Sequence, residues 1–566
     1  MTRTYEPFYW YNEHSKFFMK GGYLLEGETI EQRSKDIADT AEKYLKIEGF
    51  SNKFYDYLSK GWVSLASPVW ANYGRERGMP VSCFSTLVSD SIPNILKSIG
   101  EVGAMSKIGG GTAVFMGEVR PKGSKISDTG ESNGPVSFLQ MFDVAAGVVS
   151  QGGVRRGKTA AYLPIEHDDI DEFLEIGTPG NPIQDMTTAV TVTDSFMNSM
   201  IDGDVEKRKI WGKVLKRRTE LGYPYIIFID NANKVAPQVY KDKGKKINQS
   251  NLCSEIMLST DRDESLTCVL SSVNLLHYDE WKDTDLIEVM TYFLDSVAEE
   301  FMVKLEVYRD SDDPDKRDLF EMLKKPYKFT KEQRALGLGV LGWHSYLQSN
   351  MISFESRDAA RLNLEIFKLI KERSHKASAE MAKIYGEPEL LKGYGMRNVT
   401  TMAVAPTVSS SNILGQVSPG IEPFPQNKFV YTLAKNKILV KNKYLEEYLE
   451  SVGHNTKEVW DNITDNDGSV YGLSDEIIPQ DVKSVFKKFS EIDQMAILYQ
   501  ASTRGEYIDQ GQSLNVMFQE GTTSKEMNEF TISAWRLGIK SLYYQHSFSK
   551  AQSFLRNKNS CVACDG

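Results

Sequence analysis

The sequence predicts an α/β protein with a helical N-terminal region, on three observations. Between residues 81 and 227, short apolar runs such as TAVFMG and TAVTVT are separated by glycine loops, among them Gly109-Gly110-Gly111, Gly152-Gly153 and Gly180. That is the pattern of buried strands alternating with helices. Two long amphipathic stretches follow at 285–308 and 356–385. Residues 1–75 instead carry aromatic and helix-forming charged residues, and TIEQRSKDIADTAEKYLKIEGF spaces Ile37, Ala41, Tyr44 and Leu45 at helical intervals.

Taken in order, residues 1–75 form the helical region and residues 76–550 the α/β body. Within the body, the glycine- and proline-rich loop APTVSSSNILGQVSPGIEPFP precedes a resumed α/β alternation. Thr523-Ser-Lys-Glu526 has the spacing of a capping box, in which the first side chain and the fourth satisfy each other's backbone N–H groups. It predicts a helix over EMNEFTISAWRLG, leading into the strand-like IKSLYYQH with its paired tyrosines. Residues 551–566 are polar without a periodic apolar face, which predicts a flexible tail.

With 566 residues, 41% hydrophobic and 25% charged, the chain can bury a large core and is neither disordered nor low-complexity. A net charge of −10 argues against nonspecific nucleic-acid binding, while leaving room for a local phosphate pocket. No run of about 18 apolar residues suggests a membrane span, and no leader opens the sequence, so a cytoplasmic location is expected (the host cytoplasm if the gene is a phage's). Five cysteines, Cys83, Cys253, Cys268, Cys561 and Cys564, are too few and too dispersed for a secreted disulfide scaffold.

The most informative segment is Asn251-Leu252-Cys253-Ser254-Glu255. In an extended chain, alternate residues share a face, so an amide, a thiol and a carboxylate would converge there. A strand with one buried cysteine fits the same pattern, but its polar neighbours weaken that reading. The terminal Cys561-x-x-Cys564 can be half a zinc site, a redox pair or chance. Zinc needs two more ligands and the closest histidine is His546, so a mobile redox pair is favoured, with Cys83 and Cys268 as its clients.

These residues resemble the catalytic large subunit of class I ribonucleotide reductase, from about Val63 to the C-terminus. NLCSEI is similar to that family's radical segment, and VSC around Cys83 and TCVLSSVNL around Cys268 are similar to its two substrate-reducing cysteines. DQGQSLNV at 509–516, LYYQ at 542–545 and the terminal CVAC also match. The resemblance implies a ten-stranded α/β barrel with the radical cysteine on a loop threading its centre. It implies reduction of ribonucleoside diphosphates, with Cys253 as the thiyl radical, Glu255 as the base and Asn251 as a hydrogen-bond partner of the substrate hydroxyls. Cys83 and Cys268 become a disulfide that Cys561 and Cys564 reset with thioredoxin or glutaredoxin. Tyr543 and Tyr544 relay the radical from a separate small subunit with a dinuclear metal centre. No metal ligands are expected in this chain.

The same resemblance places substrate contacts at Ser67, Ser82, Gly110, Gly111, Thr407, Ser409 and Ser410, with Val408 where the family has a glutamate. It places a deoxynucleotide or ATP effector, with Mg2+, at Asp90, Ser91, Ile92 and Arg120, and a homodimer is expected. Ser127 and Gln184 stand where some relatives have arginines, although Lys122 and Lys125 can supply charge. The loop 176–186 resembles the segment between effector and substrate sites. No copy of the family's N-terminal ATP-binding regulatory domain is recognised, so no overall control by dATP is expected there.

Other readings fit less well. A glycyl-radical enzyme needs an R-x-x-G-Y-like segment near its C-terminus, and a cobalamin-dependent one does not need the tyrosine pair. A noncatalytic nucleotide-binding regulator does not require the cysteines, and a thiol-disulfide oxidoreductase would place its C-x-x-C in a βαβ setting rather than at the chain end.

Overall fold

The computed structural model describes residues 6–128, 130–149, 157–433 and 436–547. The N-terminal helix Ile30–Leu45 opens on a reciprocal capping box between Thr29 and Gln32 and buries Ile37, Ala41 and Leu45, as the periodicity predicts. It packs against the helix Phe50–Ser59 and against Leu286–Arg309. The second long amphipathic stretch is the helix Arg357–Tyr385.

Nine strands share the main sheet among the described residues. They are β1 (Val63–Leu65), β2 (Cys83–Leu87), β3 (Gly111–Phe115), β4 (Thr159–Pro164), β5 (Thr187–Val192), β6 (Tyr225–Phe228), β7 (Leu266–Asn274), β8 (Leu336–Leu341) and β9 (Ser541–Leu542). TAVFMG and TAVTVT thus fall on β3 and β5. Strand β1 lies within residues 1–75, so the helical N-terminal region also contributes to this sheet by pairing antiparallel with β7. Strands β2 to β6 are parallel in sequence order. Strand β7 runs antiparallel to β2 and parallel to β8, while β9 runs antiparallel to β6.

Two further segments close the circuit. Residues 400–404 bond to β8 through Leu336 N–H to Thr400 O and Leu338 N–H to Thr401 O, and residues 510–514 bond to them through Val404 N–H to Gly511 O. Both bridges, Leu338 with Met402 and Val404 with Gln512, are parallel. Tyr543, immediately after β9, donates its N–H to Leu514 O. Counting these segments, β2–β9 and the two irregular stretches make a ring of ten, the α/β barrel expected from the resemblance, in two oppositely directed halves.

The strands' period of two separates an inner from an outer core. Cys83, Ala113, Ala160, Tyr162, Ala189, Tyr225 and Cys268 belong to one apolar cluster. Their neighbours Phe84, Val114, Ala161, Leu163, Val190, Ile226 and Val269 belong to the other, shared with the helices. Alanines at the inward positions of β3, β4 and β5 leave room for a loop, and Leu252, Ile256, Met257 and Leu258 fill it. The chain carrying Cys253 therefore runs through the inner core. Among the described residues, no helix is long and apolar enough to cross a membrane.

Candidate active site

Cys83 and Cys268 are direct partners in the antiparallel register of β2 and β7. Such pairs place Cα atoms about 4.5–5.5 Å apart, within the span a disulfide can bridge. Here Cys83, Cys253 and Cys268 are all thiols. Asn251 Nδ2 lies 3.2 Å from Cys83 Sγ, and Gln510 Nε2 lies 3.4 Å from Cys268 Sγ. Burial pushes the Cys83 thiol well above its ordinary pKa and Cys268 to about 12, each despite the neighbouring amide. Both stay protonated at neutral pH, which suits hydrogen donation better than nucleophilic attack.

The segment from Asn251 to Glu255 is a turn, not the extended strand predicted from alternation. Ser254 has a left-handed φ of 65°, and Asn251 Oδ1 accepts the N–H groups of Glu255 and Ile256 at 3.1 and 3.2 Å. The short polar side chain thus competes with the pleat and wins. Residues 510–514 hold the turn from the other side. Gly511 N–H donates to Glu255 O at 2.7 Å, Gln510 Oε1 accepts from Met257 N–H at 3.2 Å, and Ser513 Oγ donates to Cys253 O and, at 3.0 Å, to Glu255 Oε2. A Cβ on Gly511 would stand 3.0 Å from Glu255 O, so that glycine permits a close backbone approach.

Glu255 is buried, and desolvation raises it to about 7 despite hydrogen bonds that favour its anion, Ser513's among them. A carboxyl poised there can take a proton near neutrality. Activity that needs its anion is expected to rise with pH through about 7, and Glu255→Gln to lose turnover by about 100-fold or more while still binding nucleotide. A pH–rate profile of CDP reduction beside a nucleotide titration checks both. An unchanged rate sinks the assignment of Glu255 as base.

Tyr543 is buried and Tyr544 half-buried. Their ring centroids are 4.5 Å apart, and Tyr225 from β6 lies 4.7 Å from Tyr543 and 5.1 Å from Tyr544. Tyr225 and Tyr543 belong to the same inner cluster as Cys83 and Cys268, and Tyr544 and Cys253 pack against it. The pair is legible in the sequence, whereas the third ring looks there like any strand tyrosine. Tyr162, whose hydroxyl donates to Asn251 O, carries no signal in the sequence either. Gln510 and Ser513 were visible as part of DQGQS, but their partners were not.

Of the expected substrate positions, Ser410 and Ser67 lie at β1, and Ser82, Gly110 and Gly111 lie where β2 and β3 begin. Ser410 Oγ donates to Leu65 O, Ser64 Oγ donates to Ser410 O, and Ser67 Oγ accepts from Tyr23. Thr407, at a φ of 57°, leads into the short helix Val408–Ile413 with Ser409 and Ser410 in its first turn, and its Oγ1 accepts Gly420 N–H at 2.7 Å. Ser82 O accepts Gly111 N–H, and the buried Ser82 hydroxyl has no hydrogen-bond partner among the described residues. Gly110 has a packing reason of its own, since a Cβ would lie 2.3 Å from the Phe84 ring.

Of the expected effector residues, Asp90 accepts from Arg120 at 2.6 Å, Ser91 caps the helix Ile92–Lys107, and Ile92 is exposed. Ser127 sits at a left-handed turn, and Gln184 donates within its own loop to Thr178 O and Asn181 O. Lys122 pairs with Glu172, and Lys125 lends its backbone carbonyl to Arg120. Cys561 and Cys564, with the expected flexible tail, lie outside the described residues. Among the described residues, no three His, Cys, Asp or Glu side chains group as a metal site.

The ribonucleotide reductase barrel domain matches residues 81–205, 198–390 and 388–545. The chain belongs to the ribonucleotide reductase family. Over 560 residues it is 36% identical to a frog virus 3 (isolate Goorha) protein provisionally named a ribonucleoside-diphosphate reductase large subunit, covering 93% of this chain and 94% of that one. A ribonucleoside-diphosphate reductase subunit alpha of Chlamydia muridarum is 28% identical over 597 residues, covering 88% of this chain and 54% of its own. Among solved structures, the class Id ribonucleotide reductase alpha subunit of Actinobacillus ureae superposes with a TM-score of 0.89 at 48% identity, covering 96% and 99% of the two chains. The chain is thus a large-subunit ribonucleoside-diphosphate reductase, an oxidoreductase of deoxyribonucleotide synthesis.

Proposed function

We propose that the chain converts ribonucleoside diphosphates to 2′-deoxyribonucleoside diphosphates by thiyl-radical chemistry. The observation that carries this is the facing pair Cys83 and Cys268 in one inner cluster with Cys253, beside Asn251 and Glu255. Cys253, as a thiyl radical, takes the 3′ hydrogen of the ribose, and Glu255 accepts the proton of the 3′ hydroxyl, which Asn251 helps to orient. The 2′ hydroxyl leaves as water after taking a proton from the thiol pair. Cys83 and Cys268 supply two electrons and end as a disulfide, and the 3′ hydrogen returns from Cys253. The net change is one nucleotide and two thiols to one deoxynucleotide, one disulfide and water.

Substrate contacts are assigned to Ser67, Ser82, Gly110, Gly111 and the loop of Thr407, Ser409 and Ser410. The unsatisfied Ser82 hydroxyl supports this, because a buried polar group without a partner is costly unless a ligand fills the role. The oxidising equivalent comes from a small subunit with a dinuclear metal centre and reaches Cys253 through Tyr544 and Tyr543. A deoxynucleotide or ATP effector with Mg2+ is assigned to Asp90, Ser91, Ile92 and Arg120. The packed helices Ile92–Lys107 and Gly134–Val148 expose Ile92, Leu96, Met141, Val144 and Val148, an apolar surface suited to a second copy of the chain. The test is CDP-to-dCDP conversion by the purified chain with candidate radical-generating subunits. No product with any of them overturns the proposal.

Cys561 and Cys564 reset the Cys83–Cys268 disulfide by thiol exchange, drawing on thioredoxin or glutaredoxin. Replacing both with serine is expected to block turnover driven by thioredoxin, by about 100-fold or more, yet spare turnover with dithiothreitol, a reductant small enough to enter unaided. Assaying the variant with each reductant checks this, and equal loss with both contradicts a shuttle.

A further inference from the structure

The chain segment bearing Tyr544 is tied down by two side chains that the proposed chemistry does not use. Tyr544 N–H donates to Asn515 Oδ1 at 3.1 Å, and Asn515 Nδ2 donates to Glu422 Oε1 at 2.7 Å. Tyr544 O accepts from Val516 N–H, so both backbone polar groups of the tyrosine are held by residues 515 and 516. Tyr543 is tethered separately, through its N–H to Leu514 O and its carbonyl to Arg218. Asn515 can rotate about its side-chain bonds. What sets its amide is Glu422, on a turn in which Glu422 N–H donates to Pro419 O.

We propose that Glu422 and Asn515 are positioning residues that set the Tyr544 ring against Tyr543 and Tyr225. This rests on the radical relay proposed above. Transfer between aromatic rings depends steeply on their separation and alignment, and displacements of about 1 Å at a reacting group can cost about 100-fold in rate. Burial raises Glu422 to about 8, so at neutral pH the group is largely the neutral acid. Its carbonyl oxygen accepts an amide N–H much as a glutamine's would.

Glu422→Ala and Asn515→Ala are therefore expected to lower kcat for CDP reduction about 10- to 100-fold with an unchanged KM for CDP. Glu422→Gln is expected to recover most of the rate. The two residues act in one chain of hydrogen bonds, so the double alanine variant should be no slower than Asn515→Ala alone. A second readout needs neither turnover nor the small subunit. With 3-fluorotyrosine at position 544, the 19F resonance should be a single narrow line in the parent chain and in Glu422→Gln, and shifted or broadened in both alanine variants. An unchanged resonance in those variants overturns the proposal whatever the turnover. A lowered Tm with parental kcat, or multiplicative losses in the double variant, overturns it as well. If Tyr544→Phe turns over normally, the relay itself fails, and the fluorine spectrum still shows whether Glu422 and Asn515 set the ring.

Discussion

A Cys253→Ser chain is expected to fold, bind nucleotides and reduce no CDP, a loss of at least about 1,000-fold. The substitution changes little in the turn that presents the side chain. The turn is made by Asn251 Oδ1 accepting from Glu255 and Ile256, by Ser513 bonding to Cys253 O, and by Ser541 Oγ donating to Ser254 O. None of these bonds uses the thiol. What changes is the atom proposed to carry the radical, because an alcohol O–H holds its hydrogen more tightly than a thiol S–H. A serine in that place cannot be oxidised by a tyrosyl radical and then return a hydrogen to the sugar. The measurement is CDP reduction with saturating small subunit, alongside effector binding and Tm. Turnover near the parental rate with the variant removes Cys253 from the mechanism. Lost activity together with lost nucleotide binding points instead to a collapsed site.

Much of this arrangement is legible in the sequence, for identifiable reasons. Strands β3 and β5 announce themselves because both faces are buried and their apolar runs lie between glycines, and the Thr523 capping box has its reciprocal bonds. Two of the ten barrel segments, 400–404 and 510–514, do not show as strands. They are short, held by isolated bridges, and rich in polar side chains whose partners are other loops. The turn at Asn251 is also hidden. Alternation is equally satisfied by a strand, and only the burial of Asn251 beside the backbone N–H groups of Glu255 and Ile256 decides for a turn. Tyr225 escapes notice because its role depends on a strand more than 300 residues away in sequence, a pairing set by closure of the barrel. The three thiols of the core stand out because cysteine is rare in this chain. The pairing that brings Cys83 and Cys268 together is set by strand register and not by local pattern.

Tyr543→Phe and Tyr544→Phe are expected to leave the fold and nucleotide binding intact and to abolish CDP reduction. Phenylalanine keeps the rings, and with them the contacts of 4.5, 4.7 and 5.1 Å that join the pair to Tyr225. The backbone anchors, Tyr543 N–H to Leu514 O, Arg218 to Tyr543 O and Tyr544 N–H to Asn515, are indifferent to the phenol. Losing one hydroxyl at a buried aromatic is an ordinary substitution, costing about 1 kcal/mol of stability. The chemistry is affected far more. A tyrosine is oxidised at accessible potentials because its phenol loses a proton as the electron leaves, whereas phenylalanine has no such proton and its ring is much harder to oxidise. A single phenylalanine is therefore expected to interrupt the proposed relay, with turnover falling at least about 1,000-fold. If the tyrosines serve only as packing, the same variants keep their activity and show the small stability loss alone. CDP reduction measured beside thermal stability separates the two cases, and binding of the small subunit must be shown intact so that lost docking is not mistaken for lost transfer. Sustained turnover in either variant, or in the parent chain with no small subunit present, removes the relay, because the radical would then reach Cys253 without passing through this pair.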